Sequence, residues 1–176
     1  MTRQRLLALI SSVALLVSVT SLAGCTTDGG APSDAPRGDT TNSSQNSGAS
    51  MPEVSGAANQ APTISAPQGN PPSDLQIKDI IEGTGAAAGS DSTLTVHYTL
   101  MAWSTGEVVE SSWTSQPATF GLNQVIQGWQ QGIPGMKEGG RRLLVIPPTL
   151  GYGEAGGGPI GPNETLIFVV DLIKVS

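Results

Sequence analysis

The segment that most constrains the fold lies near the C-terminus, where the run from Thr165 to Leu172 is almost entirely apolar. In a β-strand, successive side chains point to opposite faces of the sheet. One face would carry Leu166, Phe168, Val170 and Leu172, and the other Ile167, Val169 and Ile173. Because both faces are apolar, this segment is predicted to be a central strand that is covered on both sides.

A second segment, from Ser92 to Leu100, alternates between polar and apolar residues. Alternation with a period of two is typical of a half-buried antiparallel strand. Its apolar face carries Leu94, Val96, Tyr98 and Leu100. Tyr98 is therefore predicted to point into the core. Three further segments are predicted as strands, namely Gln76 to Glu82, Glu107 to Glu110 and Arg142 to Ile146.

A short helix is predicted between the last two of these three segments, Glu107 to Glu110 and Arg142 to Ile146. Its apolar stripe is formed by Val125, Ile126, Trp129 and Ile133, and it is ended by Gly132 and Pro134. Five strands and one amphipathic helix predict an α+β fold, in which the helix packs across the concave face of a twisted antiparallel sheet. This domain is predicted to span residues 74–176.

Residues 1–24 have the features of a targeting signal. Arg3 and Arg5 precede an apolar run, which closes on Leu22-Ala23-Gly24-Cys25. This tetrapeptide is typical of a bacterial lipobox, in which Cys25 takes a thioether-linked diacylglycerol. The alternative is an ordinary secretory signal with a cysteine at its cleavage site. The lipobox predicts a protein of the cell envelope, anchored to a membrane through Cys25 with its domain on the extracytoplasmic side.

Residues 25–73 are dominated by small and polar residues and by proline. Their few apolar residues, Met51, Val54 and Ile64, show no period. A stretch of this composition buries too little apolar surface to offset the entropy lost on ordering. It is therefore predicted to be a disordered linker between the anchor and the domain.

Several functions are disfavoured by composition. The net charge is −6 and no basic patch is present, so nucleic acid is not an expected partner. His97 is the only histidine and lies on the strand face opposite Tyr98, which argues against a catalytic triad or a metal site. Gly156-Gly157-Gly158 is not followed by the Gly-Lys-Ser/Thr of a phosphate-binding loop. No metal or cofactor is expected.

Four motifs precede the closing strand in a fixed order: Val96-His97-Tyr98-Thr99, Val125-Ile126-Gln127-Gly128-Trp129, Gly139-Gly140-Arg141-Arg142 and Gly151-Tyr152-Gly153. In this order the chain resembles the FKBP-type peptidyl-prolyl isomerases, from about Leu75 to Val175. The resemblance implies the fold predicted above and isomerisation of the bond before proline. It also implies a monomer that acts on proline-containing exported polypeptides, and binding of macrolides of the tacrolimus and rapamycin type.

The resemblance also implies roles for individual residues. Trp129 would form the floor under the proline ring, with Tyr98 and Phe168 as walls and Glu110 beside them. The hydroxyl of Tyr152 would bind a substrate carbonyl. The remaining substrate contacts would come from Val109, Val125, Ile126 and Ile160, with the Ile126 N–H holding a carbonyl and Ile160 capping the site.

The chain departs from the family pattern in the same region. Val109-Glu110 stands where a Phe-Asp pair is usual, and Ala118 replaces a second aromatic. Leu100 replaces a glycine, and the segment from Phe120 to Gln124 is shorter than usual. These departures predict weakened catalysis and argue against tight macrolide binding.

Three functions remain open on this basis. The first is a prolyl isomerase, and the second is a module that binds proline-containing segments without useful turnover. The third is a purely structural envelope lipoprotein, which would not require the aromatic residues. The retained Tyr98, Trp129, Tyr152 and Phe168 favour the isomerase, whereas Glu110 and Ala118 favour the binding module.

Overall fold

The computed structural model describes residues 50–176. The predicted signal peptide, Cys25 and the linker up to residue 49 lie outside these residues. The described strands are β1 (Val54–Ser55), β2 (Thr63–Ile64), β3 (Gln76–Ile81), β4 (Thr93–Ala102), β5 (Val108–Ser111), β6 (Ala118–Gly121), β7 (Arg141–Ile146) and β8 (Leu166–Val175). The α-helix α1 spans Gln127–Gly132, and 3-10 turns span Ser112–Thr114, Leu122–Gln124, Pro148–Leu150 and Gly153–Ala155. No helix in this range is long and apolar enough to cross a membrane.

Strands β3 to β8 form one antiparallel sheet in the order β3-β7-β8-β4-β5, and β6 also pairs with β4. The predicted central strand is confirmed, because β8 pairs with β7 on one side and with β4 on the other. The α+β prediction is likewise confirmed, but the sheet has six strands rather than five. The additional strand is β6, which pairs with the first half of the long β4, while β5 pairs with its second half.

The helix begins later than predicted. Val125 and Ile126 have extended backbone, with ψ of 176° and 152°, and α1 starts at Gln127. The Ile126 carbonyl accepts the first helical hydrogen bond, from the Trp129 N–H at 3.0 Å. The predicted apolar stripe therefore combines two residues before the helix with Trp129, inside it, and Ile133 at its C-terminal cap.

Two glycines let α1 approach the sheet closely. A Cβ added to Gly128 would overlap Ile146 and lie 2.7 Å from its Cδ1. A Cβ added to Gly132 would lie 2.8 Å from Cδ2 of Leu144. Gly128 and Gly132 are four residues apart and so lie on one face of the helix. The helix presents no side chain on this face, so its backbone packs directly on the side chains of Ile146 and Leu144 from β7.

The two faces of the sheet carry separate apolar clusters. Leu144, Ile146 and Phe168 belong to the cluster that includes Trp129, whereas Leu143, Val145 and Ile167 belong to the other. This division follows from the alternation of side chains along β7 and β8. The helix covers the first cluster, and a different segment covers the second.

That segment is residues 50–73, here called the N-terminal arm. It was predicted to be linker, but β1 and β2 pair as a small antiparallel sheet. Met51, Val54 and Ile64 pack against the second apolar cluster. This part of the chain is therefore ordered against the sheet, because its scattered apolar residues find partners in strands that are distant in sequence.

Candidate active site

A cavity of about 350 Å³ opens beside α1 on the face of the first cluster. It is lined by Tyr98, Leu100, Glu110, Phe120, Gln124, Val125, Ile126, Trp129, Tyr152 and Phe168. Seven of these residues were predicted as site residues, and the cavity brings them together from strands, turns and the helix. Leu100, Phe120 and Gln124 were not predicted as site residues.

Trp129 is the centre of the aromatic lining and is only 3% exposed. Its ring centroid lies 5.3 Å from that of Phe168 and 5.9 Å from that of Tyr98, with interplanar angles of 87° and 85°. Phe120 makes a third edge contact at 5.4 Å. Edge-to-face packing holds each ring at a fixed angle to the others. The indole is therefore a rigid base for the cavity.

Phe120 supplies an aromatic edge that the sequence prediction missed. It lies two residues after Ala118 on β6, so both side chains point to the same face. The period of two along β6 was the signal that could have found it. Position 118 thus lacks the aromatic residue of the family pattern, but Phe120 on the same face provides an aromatic contact with Trp129.

Glu110 is one methylene longer than the aspartate that is usual at this position in the family, and its carboxylate contacts Tyr98. The Tyr98 hydroxyl donates a hydrogen bond to Oε1 of Glu110. Burial raises the pKa of Tyr98 well above its usual range, and the hydrogen bond to Glu110, its charge and Tyr152 raise it further. The phenol therefore stays protonated further into the alkaline range than a free tyrosine, with its hydrogen directed at the carboxylate.

The β4–β5 register accounts for the position of Glu110 and its neighbour. Glu110 pairs with Leu100, but Met101 pairs with Val108, so Val109 is an extra residue at a bulge. Val109 packs partly buried against the first cluster and lines a second groove of about 420 Å³ together with Ile160. Of the nine predicted pocket residues, these two line the neighbouring groove rather than the aromatic cavity.

Tyr152 stands at the mouth of the cavity and is 43% exposed. It lies between Gly151 and Gly153, and Gly153 has a φ of +64°, which favours glycine. A Cβ at Gly157 would lie 2.9 Å from Cδ1 of the Tyr152 ring. The glycine-rich loop therefore leaves room for the ring and leaves its hydroxyl accessible.

His97 points away from the cavity, as predicted, but it is half-buried. Its Nδ1 lies 2.9 Å from Oγ of Ser112, and its ring stacks on Trp113 at a centroid distance of 4.1 Å. These contacts assign His97 a packing role on the outer face of β4. No group of three or more His, Cys, Asp or Glu residues within residues 50–176 is arranged to hold a metal ion.

The lining of the cavity suits a reaction that needs no nucleophile. Rotation about the peptide bond is opposed by amide resonance, with a barrier of about 18–20 kcal/mol. The twisted amide has lost that resonance and is less polar than the planar one. A rigid, mainly apolar cavity with a few polar groups at its edge can therefore bind the twisted form better than the planar form.

Comparison with known proteins agrees with this chemistry. Residues 85–173 match the family model for FKBP-type peptidyl-prolyl cis-trans isomerases. The FK506-binding protein of Streptomyces anulatus is 53% identical over 121 residues, which cover 66% of this chain and 98% of that protein. The outer membrane protein MIP of Legionella longbeachae is 46% identical over 106 residues, which cover 59% of this chain and 45% of that protein.

A solved structure of FkpA from Escherichia coli superimposes with a TM-score of 0.55 at 39% identity, covering 58% of this chain and 48% of that one. The matches to isomerases do not favour the alternative of a binding module without turnover. The family model spans half of the chain, and the Streptomyces relative is covered almost completely. The chain therefore belongs to the family of FKBP-type peptidyl-prolyl cis-trans isomerases and is an enzyme of that class.

Proposed function

We propose that the cavity around Trp129 is the active site and that it binds the proline ring of the substrate against the indole. The observation that carries this proposal is the edge-to-face arrangement of Tyr98, Phe120 and Phe168 around Trp129. These three rings form the walls of an apolar socket, and the Trp129 indole forms its floor. A pyrrolidine ring is apolar and compact and suits such a socket.

The polar groups at the edge of the socket act on the flanking carbonyls of the substrate. The Tyr152 hydroxyl and the Ile126 N–H donate to these carbonyls, while Tyr98 and Glu110 hold each other in place. Each 1.36 kcal/mol by which the site prefers the twisted amide to the planar one accelerates isomerisation about tenfold. Rigidity matters here because a site that adapts to the planar form loses this preference.

An isomerisation assay coupled to a conformation-specific protease tests the site, with the full chain and a Leu-Pro peptide. Trp129→Ala is expected to reduce kcat/KM by at least tenfold, because the floor of the cavity is removed. Trp113→Ala is the matched control, since Trp113 stacks on His97 outside the cavity lining. The site assignment is wrong if Trp129→Ala retains wild-type kcat/KM while its near-ultraviolet circular dichroism shows an intact fold.

We propose further that residues 1–24 are a lipoprotein signal peptide and that Cys25 carries a lipid anchor. The arginines, the apolar run and the Leu22-Ala23-Gly24-Cys25 tetrapeptide support this proposal. The relative named as an outer membrane protein is consistent with a site of action in the cell envelope. A monomeric enzyme held there would meet exported polypeptides at raised local concentration.

Incorporation of labelled palmitate tests the anchor. The wild-type chain is expected to carry the label and to fractionate with membranes, and Cys25→Ser is expected to lose both properties. Ser21→Ala, in the apolar run ahead of the tetrapeptide, is the control that should retain them. Membrane association of an unlabelled chain would point to another mode of attachment.

A further inference from the structure

The backbone between the 3-10 turn Leu122–Gln124 and α1 is extended for two residues, Val125 and Ile126. The peptide group that joins them comprises the Val125 carbonyl and the Ile126 N–H. It lies in neither helix nor strand, so no regular hydrogen-bond ladder fixes its orientation. Both residues line the cavity. The direction of this peptide must therefore be set by something else.

The side chain of Gln130 contacts this peptide directly. Nε2 of Gln130, the fourth residue of α1, reaches back and donates to the Val125 carbonyl oxygen at 2.7 Å. Because a peptide group is planar, fixing its oxygen also fixes the direction of its N–H. Among the hydrogen bonds within residues 50–176, none has the Ile126 N–H as its donor. Ile126 is half-buried and lines the cavity, so its N–H is available to donate to an acceptor on a bound ligand.

We propose that Gln130 is a positioning residue that aims the Ile126 N–H at the substrate carbonyl. The inference rests on the proposed active site, in which that N–H is a substrate donor. Gln130 is exposed and is absent from the cavity lining, so it acts through the peptide rather than on the substrate. A peptide whose oxygen already accepts a hydrogen bond is also a stronger donor at its N–H, because hydrogen bonds in a chain polarise one another.

The test compares Gln130→Ala with Gln131→Ala in the full chain. Gln131 is the next residue of α1, is also exposed, and makes no side-chain hydrogen bond within residues 50–176. Both substitutions replace one good helix former by another, so their effects on helix stability are matched. Gln130→Ala is expected to lower kcat/KM about fivefold, the effect of one lost hydrogen bond. Gln131→Ala is expected to leave kcat/KM unchanged.

Two further variants separate hydrogen-bond donation from packing. Gln130→Lys retains an N–H donor and is expected to recover most of kcat/KM, whereas Gln130→Glu has no donor and is expected to be at least as impaired as Gln130→Ala. The loss is expected in KM, because the Ile126 N–H binds the planar and the twisted substrate alike. In parallel, the amide resonance of Ile126 is expected to shift in Gln130→Ala and to stay in place in Gln131→Ala.

Three results would overturn the proposal. One is an unchanged kcat/KM in Gln130→Ala, and another is an Ile126 amide resonance that does not move. The third is a fall in kcat at constant KM, which would indicate a loss of folded enzyme or of a contact made only in the transition state, rather than of a contact made to both forms of the substrate. In each case, an inactive Trp129→Ala enzyme would leave the proposed active site standing. An active Trp129→Ala enzyme would instead refute the active site itself.

Discussion

The guanidinium of Arg141 lies 2.8 Å from the carboxylate of Asp171, and the Arg141 side chain is fully buried. Its remaining N–H groups donate to the carbonyl oxygens of Gly56 at 3.1 Å and Gln60 at 2.6 Å. Burial raises the pKa of Asp171, and the hydrogen bonding and charge of Arg141 offset part of this effect. The ion pair therefore joins neighbouring strands of the main sheet to the N-terminal arm.

Replacement of Arg141 by methionine is expected to lower the free energy of unfolding by about 3 to 5 kcal/mol. The methionine fills the space but leaves the Asp171 carboxylate and two arm carbonyls without their donor. Urea denaturation measures the effect, with Lys174→Met as the control because Lys174 is an exposed cation near the end of β8. Equal stability of the two variants would mean that the buried pair contributes nothing.

Removal of the N-terminal arm is expected to destabilise the domain without inactivating it. A chain of residues 74–176 loses the contacts of Met51, Val54 and Ile64 with the second cluster, roughly 3 kcal/mol of apolar burial. No residue of the arm lines the aromatic cavity. Urea denaturation and kcat/KM are compared with those of residues 50–176. Unchanged stability would show that the arm is dispensable, and lost activity in a folded chain would show a link to the cavity.

The hydrogen bond between Tyr98 and Glu110 is expected to be visible in the titration of Tyr98. The chain has two tyrosines, so Tyr98 is the only one in a Tyr152→Phe background. Glu110→Gln is expected to lower the pKa of Tyr98, which stays above its usual value because burial remains. Tyrosinate absorbance against pH measures the change. Superimposed curves with and without Glu110→Gln would contradict the contact.

The same raised pKa predicts how stability depends on pH. Above about pH 10 the phenol ionises in the unfolded chain but remains protonated in the folded one. The unfolded state then binds fewer protons, so the free energy of unfolding falls as pH rises. This contribution is fully present below pH 10, and its loss is expected to be smaller for Glu110→Gln. Urea denaturation at a series of alkaline pH values compares the two proteins.

Gly128→Ala is expected to destabilise the protein by about 2 kcal/mol, because the new methyl group overlaps Ile146. This figure is a net effect, because the steric cost exceeds the gain of about 1 kcal/mol from the higher helix propensity of alanine. Gly132→Ala is expected to cost less, since its nearest neighbour is the rotatable end of Leu144. Combining Gly128→Ala with Ile146→Ala should cost less than the sum of the single changes. Strict additivity in urea denaturation would rule out the proposed overlap.

The sequence pattern identified those strands that are long enough for the distribution of apolar residues over their two faces to be clear. The central position of β8 followed from its two apolar faces, and Tyr98 was placed inward by the alternation along β4. Strand β6 was missed because its four residues carry only one large apolar side chain, Phe120, whereas β5, of the same length, follows the turn residues Ser104-Thr105-Gly106. The ordered structure of the N-terminal arm could not be predicted from its own residues, because its apolar side chains contact strands that are distant in the sequence.

The site was predictable to a similar extent. The resemblance identified residues that the structure brings into one cavity, including Tyr98, Trp129 and Phe168. It did not identify Phe120, and it assigned Val109 to the same pocket although the bulge in β5 directs it to the neighbouring groove. Neither a bulge nor a shared strand face can be read from a motif. The catalytic roles of the individual residues stay predictions until the variants are assayed.

The attachment of the arm to Arg141 has a mechanical consequence. Tension applied along the chain from its N-terminal side reaches Gly56 and Gln60 before it reaches β3, because these residues come first in the sequence. The hydrogen bonds to Arg141 and the short β1–β2 pair would yield first and lengthen the chain. The six-stranded sheet, and the aromatic cavity with it, would then still be under little strain. Extension of the arm would thus precede any distortion of the catalytic fold.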